Sequence, residues 1–92
     1  MATQRITAQS SNEKLSVTFE RTYASPLYVY NAVRGNGDVW TVVECPSPDA
    51  HKSGYSMRYS LLRNGVEYCK PPGNSAGVVL SVACDCIQAL EE

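Results

Sequence analysis

The segment from Ser75 to Glu92 carries more apolar side chains than a helix on the surface of a small domain normally does. At about 100° per residue, its polar side chains fall on one narrow stripe. This stripe consists of Ser81, Asp85, Gln88 and Glu92. A helix that rests on one sheet needs an apolar band somewhat wider than about 100°, whereas this band covers well over half of the circumference. The segment therefore predicts a helix that is either deeply buried or shared with a partner.

Upstream of this helix, apolar and polar residues alternate with a period of two in two segments, Lys14–Glu20 and Tyr55–Leu62, which is typical of half-buried strands. Two further segments are rich in Val, Tyr and Trp, which also favour strands. The predicted strands are Lys14–Glu20, Leu27–Val33, Val39–Cys45, Tyr55–Leu62 and Val66–Cys69. Asn-Gly pairs separate two pairs of neighbouring strands and favour hairpin turns, because both residues tolerate a positive φ. Strands followed by one helix predict an α+β fold, an antiparallel meander of about five strands with the C-terminal helix packed on one face.

The length of the chain, 92 residues, is that of one domain. We expect a flexible N-terminal segment over residues 1–12 and one α+β domain over residues 13–92. The proline-rich segment Cys45–Gly54 is predicted to be a loop. One alternative stays open, since Ser25-Pro26 is able to begin a helix that Gly35 ends. The run Tyr28-Val29-Tyr30 favours a strand there.

The alternation also assigns side chains to the two faces of the sheet. The expected core consists of Leu15, Val17, Phe19, Leu27, Val29, Met57, Tyr59 and Leu61 from the sheet, with Val79, Val82, Ala83, Cys86 and Leu90 from the helix. Tyr28, Tyr30 and Arg58 then point away from the helix, beside Trp40. Aromatic residues and arginine on an open sheet stack nucleic acid bases, and they also anchor protein interfaces. Plain solvent cover is the third interpretation of this face.

Charge excludes two classes of protein. Eight Lys and Arg against nine Asp and Glu give a net charge of -1, without a long block of either sign. The chain is thus neither a histone-like DNA binder nor an acidic protein that imitates DNA by its total charge. Charged residues at the predicted loop tips are Arg34, Asp38, Lys52, Arg63 and Lys70. They form either a solvated rim or, if they gather at one end, an edge that contacts phosphates or an acidic protein patch.

The cysteines are expected to be free thiols. The N-terminus lacks the apolar stretch of a secretory signal and no segment is long enough to span a membrane, which predicts a cytoplasmic protein with reduced Cys45, Cys69, Cys84 and Cys86. His51 is able to approach Cys45 across the loop, but no residues indicate an oxyanion hole or a third catalytic group. The C-x2-4-C spacing of zinc sites is absent. We therefore expect neither catalysis nor a cofactor.

In its size, near-neutral charge, missing signal and small sheet with one packed helix, the whole chain resembles the phage anti-CRISPR proteins that act on type I-F surveillance complexes. The resemblance implies a non-enzymatic inhibitor that binds the Cas subunits, with contact to the guide RNA, and keeps target DNA from engaging. Glu20, Asp38 or Glu44 would then face cations that normally hold DNA phosphates. The predicted partner-binding residues are Tyr28, Tyr30, Arg34, Asp38, Lys52, Arg58, Arg63 and Lys70.

Two other functions fit the same residues. The first is a small single-stranded nucleic-acid binder that uses Tyr28, Tyr30 and Arg58. The second is a homodimeric structural or adaptor subunit that is joined through the apolar C-terminal helix. The first requires aromatic rings on an open face of the sheet, and the second requires that the helix keeps an apolar surface free.

Overall fold

The computed structural model describes residues 3–24, 27–46, 57–71 and 75–91. Within these ranges the chain forms six β-strands and one α-helix. They are β1 (Gln4–Gln9), β2 (Ser16–Ala24), β3 (Leu27–Val33), β4 (Val39–Pro46), β5 (Met57–Arg63), β6 (Val66–Cys69) and α1 (Ala76–Glu91). No helix in these ranges has the length and apolar character that a membrane crossing requires.

The strands form one antiparallel sheet in the order of the sequence, β1 to β6. This confirms the predicted α+β meander with a C-terminal helix, with six strands in place of about five. The strand interpretation of Leu27–Val33 is also confirmed over the competing helix. The predicted loop falls largely on residues 47–54, which lie outside the described residues.

The additional strand corrects the expectation of a flexible segment over residues 1–12. β1 lies inside that segment and pairs with β2, where Ile6 is opposite Phe19 and Ala8 is opposite Val17. These two apolar side chains of β1 pack against the core. Its other side chains are polar and exposed, so the alternation was too weak to predict a strand. The packing of Ile6 and Ala8 and the complete pairing with β2 are enough to order β1.

Tight turns set the register of the hairpins. Between β5 and β6, Asn64 and Gly65 both have a positive φ, 53° and 83°, which is the geometry of a two-residue turn that matches the twist of the strands. Between β3 and β4, the Arg34 N–H donates to the Asp38 carbonyl over 2.8 Å, and Val33 pairs with Val39. The position of each residue of β3 opposite β4 follows from this closure.

A single cluster of buried residues lies between the sheet and α1. It consists of Val17, Phe19, Tyr30, Ala32, Trp40, Val42, Tyr59 and Leu61 from the sheet and Val79, Leu80, Ala83, Cys84 and Ile87 from the helix. The predicted positions Val17, Phe19, Tyr59, Leu61, Val79 and Ala83 are confirmed. Leu15 packs against this cluster and is partly buried. The side chains of Leu27 and Met57 lie outside the described part of the structure.

The prediction for β3 placed its side chains on the wrong faces. Tyr30 is 1% exposed on the helix side, whereas Val29 lies on the other face. The hairpin register is the cause, because it places Tyr30 opposite Val42 and Ala32 opposite Trp40. Burial of Trp40, which is 0% exposed, therefore brings Ala32 and Tyr30 to the same side of the sheet.

The helix is rotated about its axis relative to the prediction, by roughly 70° at 100° per residue. Leu80, Cys84 and Ile87 are fully buried, whereas the expected core residue Leu90 is 45% exposed and Val82 and Cys86 are only partly buried. The polar stripe explains the rotation, because it faces the β1–β2 turn. Asp85 Oδ1 accepts from the Ser11 N–H over 2.7 Å, and the Ser81 hydroxyl donates to the Gln9 carbonyl over 2.8 Å.

Candidate protein-binding face

The face of the sheet that points away from α1 is the candidate functional site, and we call it the open face. Of the elements that the structure describes, none crosses it. Alternation from the buried residues of each strand identifies its members. Its centre, on β3 to β5, consists of Val29, Asn31, Val39, Thr41, Val43, Ser60 and Leu62. Thr18, Glu20 and Thr22 lie beside this centre on β2, and Arg5, Arg58 and Glu67 lie farther out, on β1, at the start of β5 and on β6.

Side chains of the open face are held in place by contacts across the strands. Thr41 Oγ1 donates to Asn31 Oδ1 over 2.8 Å, and the Thr7 and Thr18 hydroxyls are hydrogen bonded over 3.1 Å. Valine and threonine are restricted at χ1 by their branched Cβ. The face is thus largely ordered before any partner arrives, which lowers the entropic cost of binding.

A shallow groove runs over the β1 side of the open face. It encloses about 450 Å³ and is lined by Arg5, Thr18, Glu20, Asn31 and Val33, together with Ala32. Arg5 lies directly opposite Glu20 in the β1–β2 ladder. A cation and an anion therefore share the groove with hydroxyl and amide groups, a mixture that suits the side chains of a protein better than a row of phosphates.

Tyr28 and Tyr30, which we predicted on the open face, lie on the helix side, as does Trp40. The Tyr30 hydroxyl donates to Glu44 Oε1 over 3.0 Å, and the Tyr28 N–H donates to Glu44 Oε2 over 3.3 Å. The Arg21 guanidinium carbon lies 4.5 Å from the centre of the Tyr28 ring, and the Tyr23 ring centre lies 5.1 Å from it. These rings are engaged within the protein, so the predicted stacking platform on the open face is wrong.

Glu44 forms the polar centre of this aromatic cluster. Glu44 is only 7% exposed. We had expected its carboxylate to face the cations of a partner, but it is not available to them. Burial and the Glu44 carboxylate together raise the pKa of Tyr30 to about 12. Burial and the same carboxylate also raise the pKa of Tyr59. Both hydroxyls therefore keep their protons at neutral pH, and that of Tyr30 stabilises the fold through its hydrogen bond to Glu44.

Three of the charges at the loop tips, those of Arg34, Asp38 and Arg63, are neutralised within the protein. Arg34 forms two hydrogen bonds to Glu91, over 2.8 Å and 2.9 Å, and Arg63 contacts Asp38 over 2.8 Å. Hydrogen bonds from Asn64 and Arg63 lower the pKa of Asp38, and the bond from Arg34 lowers the pKa of Glu91.

The expected gathering of cations at one edge is not found among the described residues. The turns that hold Arg34 and Arg63 lie at one end of the sheet, whereas Lys70 follows β6 at the other end. Arg58 is exposed at the start of β5 on the open face, as predicted. Lys52 lies outside the described residues.

The described residues show neither the predicted approach of His51 to Cys45 nor a group of metal ligands. Cys84 is fully buried, and this burial raises the pKa of its thiol to about 11, so it is protonated at neutral pH. The side chains of Cys45 and His51 lie outside the described part of the chain. In the part that is described, no three His, Cys, Asp or Glu side chains are grouped as metal ligands.

Comparison with protein-family models, with curated proteins and with solved structures finds no match to this chain. Its function is therefore inferred from the open face. Thr41, Val43 and Leu62 were not predicted as members of this face. One signal was present: if Trp40 is buried, strict alternation along β4 turns Thr41 and Val43 to the opposite side.

Proposed function

We propose that this protein is a non-enzymatic binding protein that docks onto a partner protein through the open face. The distribution of charge on that face carries the proposal. Its centre, on β3 to β5, is an uncharged area of Val, Thr, Ser, Asn and Leu side chains. Its four charged residues in the described part of the chain flank this area, Arg5 and Glu20 on β1 and β2, Glu67 on β6 and Arg58 at the start of β5. Protein interfaces have the same arrangement, with charges depleted at the core and a polar rim.

The size of the open face is adequate for this role. Six strands about 4.8 Å apart and about seven residues long cover on the order of 25 Å by 23 Å. Together with the side chains of the rim, this is close to the roughly 800 Å² per partner that stable complexes bury. The whole chain has an accessible surface of 5609 Å², so the interface would take about a seventh of it.

The placement of rings and cations disfavours the nucleic-acid alternative. Single-stranded nucleic-acid binders combine exposed aromatic rings with a positively charged groove. Here Tyr30 and Trp40 are buried on the helix side, and Arg34 and Arg63 are held by carboxylates. The groove on the open face holds one cation and one anion. The alternative thus loses the tyrosine rings on which it was based, and of its three predicted residues Arg58 alone lies on the open face.

The proposed partner is a CRISPR-Cas surveillance complex of type I-F, in the bacterial cytoplasm. This part of the proposal comes from the resemblance to anti-CRISPR proteins. An inhibitor that works by occupation needs a stable, shape-fitted surface and no catalytic group, and the open face supplies such a surface. By covering Cas subunits beside the guide RNA, it would keep target DNA from engaging.

The test uses the full chain and two matched substitutions. Val43 lies in the centre of the open face, and Val78 is 52% exposed on the outer side of α1. We expect the immobilised protein to retain a purified type I-F complex and to inhibit its binding of target DNA. Val43→Arg should weaken retention by at least tenfold, since it buries a charge in the interface, whereas Val78→Arg should leave it unchanged.

Other results would contradict the proposal in distinguishable ways. Circular dichroism and thermal unfolding must first show that both variants are folded. Loss of retention with Val78→Arg alone would transfer the interface to α1, and sedimentation would then show whether α1 joins two copies of the chain. Equal retention of all three proteins would exclude the open face. No retention of the complex by the native chain would exclude this partner.

A further inference from the structure

Two cysteines from different elements meet at the boundary between β6 and α1. Cys69 is the last residue of β6, and Cys86 lies in the second half of α1. Their side chains are hydrogen bonded to each other, and both pack against the margin of the core. Both are free thiols. The strand and the helix thus bring the two thiols close to each other at the edge of the core, although the residues are distant in sequence.

A β-bulge brings Cys69 to this position. In the β5–β6 ladder, Leu62 is opposite Glu67 while Leu61 is opposite Cys69, so that Tyr68 is an extra residue. Regular alternation would turn Tyr68 to the helix side and Cys69 to the open face. The bulge turns both to the helix side: the Tyr68 ring makes an edge contact with Trp40, with centroids 5.4 Å apart, and Cys69 contacts Cys86.

Accessibility distinguishes this pair from the third described cysteine. Cys69 and Cys86 are partly exposed, whereas Cys84 is 0% exposed and is hydrogen bonded to the backbone of Val17. A small disulfide in solution is able to reach the margin of the core but not its interior. Reaction at the surface should therefore select Cys69 and Cys86 and leave Cys84 untouched.

We propose that Cys69 and Cys86 are a reversible disulfide site that tethers β6 to α1. One of the two, as the thiolate, attacks a sulfur of a small disulfide such as oxidised glutathione, and a glutathione thiolate leaves. The second cysteine, after loss of its proton, attacks the mixed disulfide, and a second glutathione thiolate leaves. The protein loses two protons and two electrons, and one oxidised glutathione takes them up to become two reduced molecules.

The environment of Cys86 predicts how this reaction depends on pH. Burial and the neighbouring Cys69 raise the pKa of Cys86, so it is mainly a thiol at neutral pH. Because the thiolate is the attacking species, the rate of closure should increase as the pH rises. Closure should also raise the unfolding temperature, by on the order of 10 °C for a loop of this length in a small domain, and dithiothreitol should reverse the increase.

Peptide mapping of the native chain tests the site directly. The folded protein is incubated with oxidised glutathione, its remaining thiols are alkylated, and it is digested without reduction. Chymotrypsin cleaves after Tyr68 and Leu80, and a protease specific for aspartate cleaves before Asp85. We expect one peptide that contains Cys69 to be joined to one that contains Cys86, with a mass about 2 Da below the sum of the two thiol peptides, as loss of two hydrogens requires.

Three variants complete the experiment. Cys69→Ser and Cys86→Ser should each abolish the linked peptide and the increase in unfolding temperature, whereas Cys45→Ser should retain both. The proposal is wrong if Cys69 and Cys86 are both alkylated after treatment. It is equally wrong if they carry glutathione without closing, or if either is joined to Cys45 or to a second chain.

Discussion

The helix side and the open face of the sheet are built from the same strands, yet they use different kinds of side chain. The helix side holds the large aromatic residues Trp40 and Tyr30, and it also holds the carboxylate of Glu44. The open face holds short β-branched and hydroxyl side chains. One side is filled to exclude water, whereas the other is smooth enough to receive a second surface. The bulky aromatic residues that we had predicted on the binding face are thus part of the core.

Strand β4 shows the difference residue by residue. Trp40, Val42 and Glu44 are buried on the helix side, and Thr41 and Val43 lie between them on the open face. Polarity alone does not assign the face, since the only carboxylate of the strand is inside. Glu44 is tolerated there because it receives hydrogen bonds from Tyr30 and from the backbone of Tyr28.

Removal of the largest buried side chain should lower the stability of the protein more than any change on the open face. Trp40→Ala is expected to lower the free energy of unfolding by about 3–5 kcal/mol, because it leaves a cavity in the core. Thr41→Ala, at the next position on the open face, should cost less than about 1 kcal/mol. Urea unfolding followed by circular dichroism measures both. Similar losses from the two variants would mean that the faces do not differ in packing.

A second pair compares identical residues on the two faces. Val42 is 0% exposed, whereas Val43 is only partly buried on the open face. Val42→Ala should cost about 2 kcal/mol, since two buried carbon atoms and their packing contacts are lost. Val43→Ala should cost about half of that or less. Chemical unfolding of the two variants under the same conditions gives the ratio of their losses in free energy of unfolding. A ratio near one would contradict the assignment of the two valines to different faces.

The hydrogen bond from Tyr30 to Glu44 predicts a dependence on alkaline pH. Tyr30→Phe should lower the free energy of unfolding by about 1–2 kcal/mol, because a buried carboxylate loses a donor. The native pKa of Tyr30 is raised from 10.0 to about 12, so the unfolded chain loses this proton first. The stabilisation is thus complete below pH 10 and is lost as the pH rises towards 12.

The matched variant for this hydrogen bond lies on the open face. Thr41→Val removes the donor to Asn31 in a partly exposed position, so its cost should be smaller and should not change between pH 10 and pH 12. Unfolding measured at several alkaline pH values separates the two. If the stability of the native protein changes between pH 10 and pH 12 as little as that of Tyr30→Phe, the role of Glu44 is contradicted.

The smallest effect is expected at the end of the sheet, where both faces meet solvent. Arg34→Gln removes the ion pair with Glu91 and should cost about 0.5 kcal/mol. Because Arg34 lowers the pKa of Glu91 from 4.5, its contribution is present above that pH and is lost as the pH falls through the native pKa. Native and variant stabilities should therefore converge in acid, and a constant difference down to pH 2 would be inconsistent with this ion pair.

Much of the fold follows from the sequence, because alternation and Asn-Gly turns identified five strands and their antiparallel order. β1 was missed since only Ile6 and Ala8 identify its inner face, and both depend on contacts that form after the sheet is assembled. The rotation of α1 was missed for a similar reason. Its polar residues Ser81 and Asp85 bond to the β1–β2 turn, and no local pattern encodes a contact with so distant a segment.

The site was harder to predict because β3 carries apolar side chains on both faces. Its two alternating sets, Val29 with Val33 and Tyr28 with Tyr30, both fit a core, so periodicity does not choose between them. The hairpin register decides, and it was available from the turn: Val33 opposite Val39 implies Ala32 opposite Trp40. Reading the register through the turn, with Trp40 placed inside, predicts the open face correctly.

The strictly sequential order of the sheet has a consequence for how the chain folds. Each strand pairs with its neighbour in sequence, so these contacts are local and close quickly. The helix forms the distant contacts, since Ser81 bonds to Gln9 and Asp85 bonds to Ser11 across 72 and 74 residues. Loop closure over such lengths has the larger entropic cost. The hairpins should therefore form before the rate-limiting barrier and the helix should dock after it, with φ-values near zero at Ser81 and Asp85.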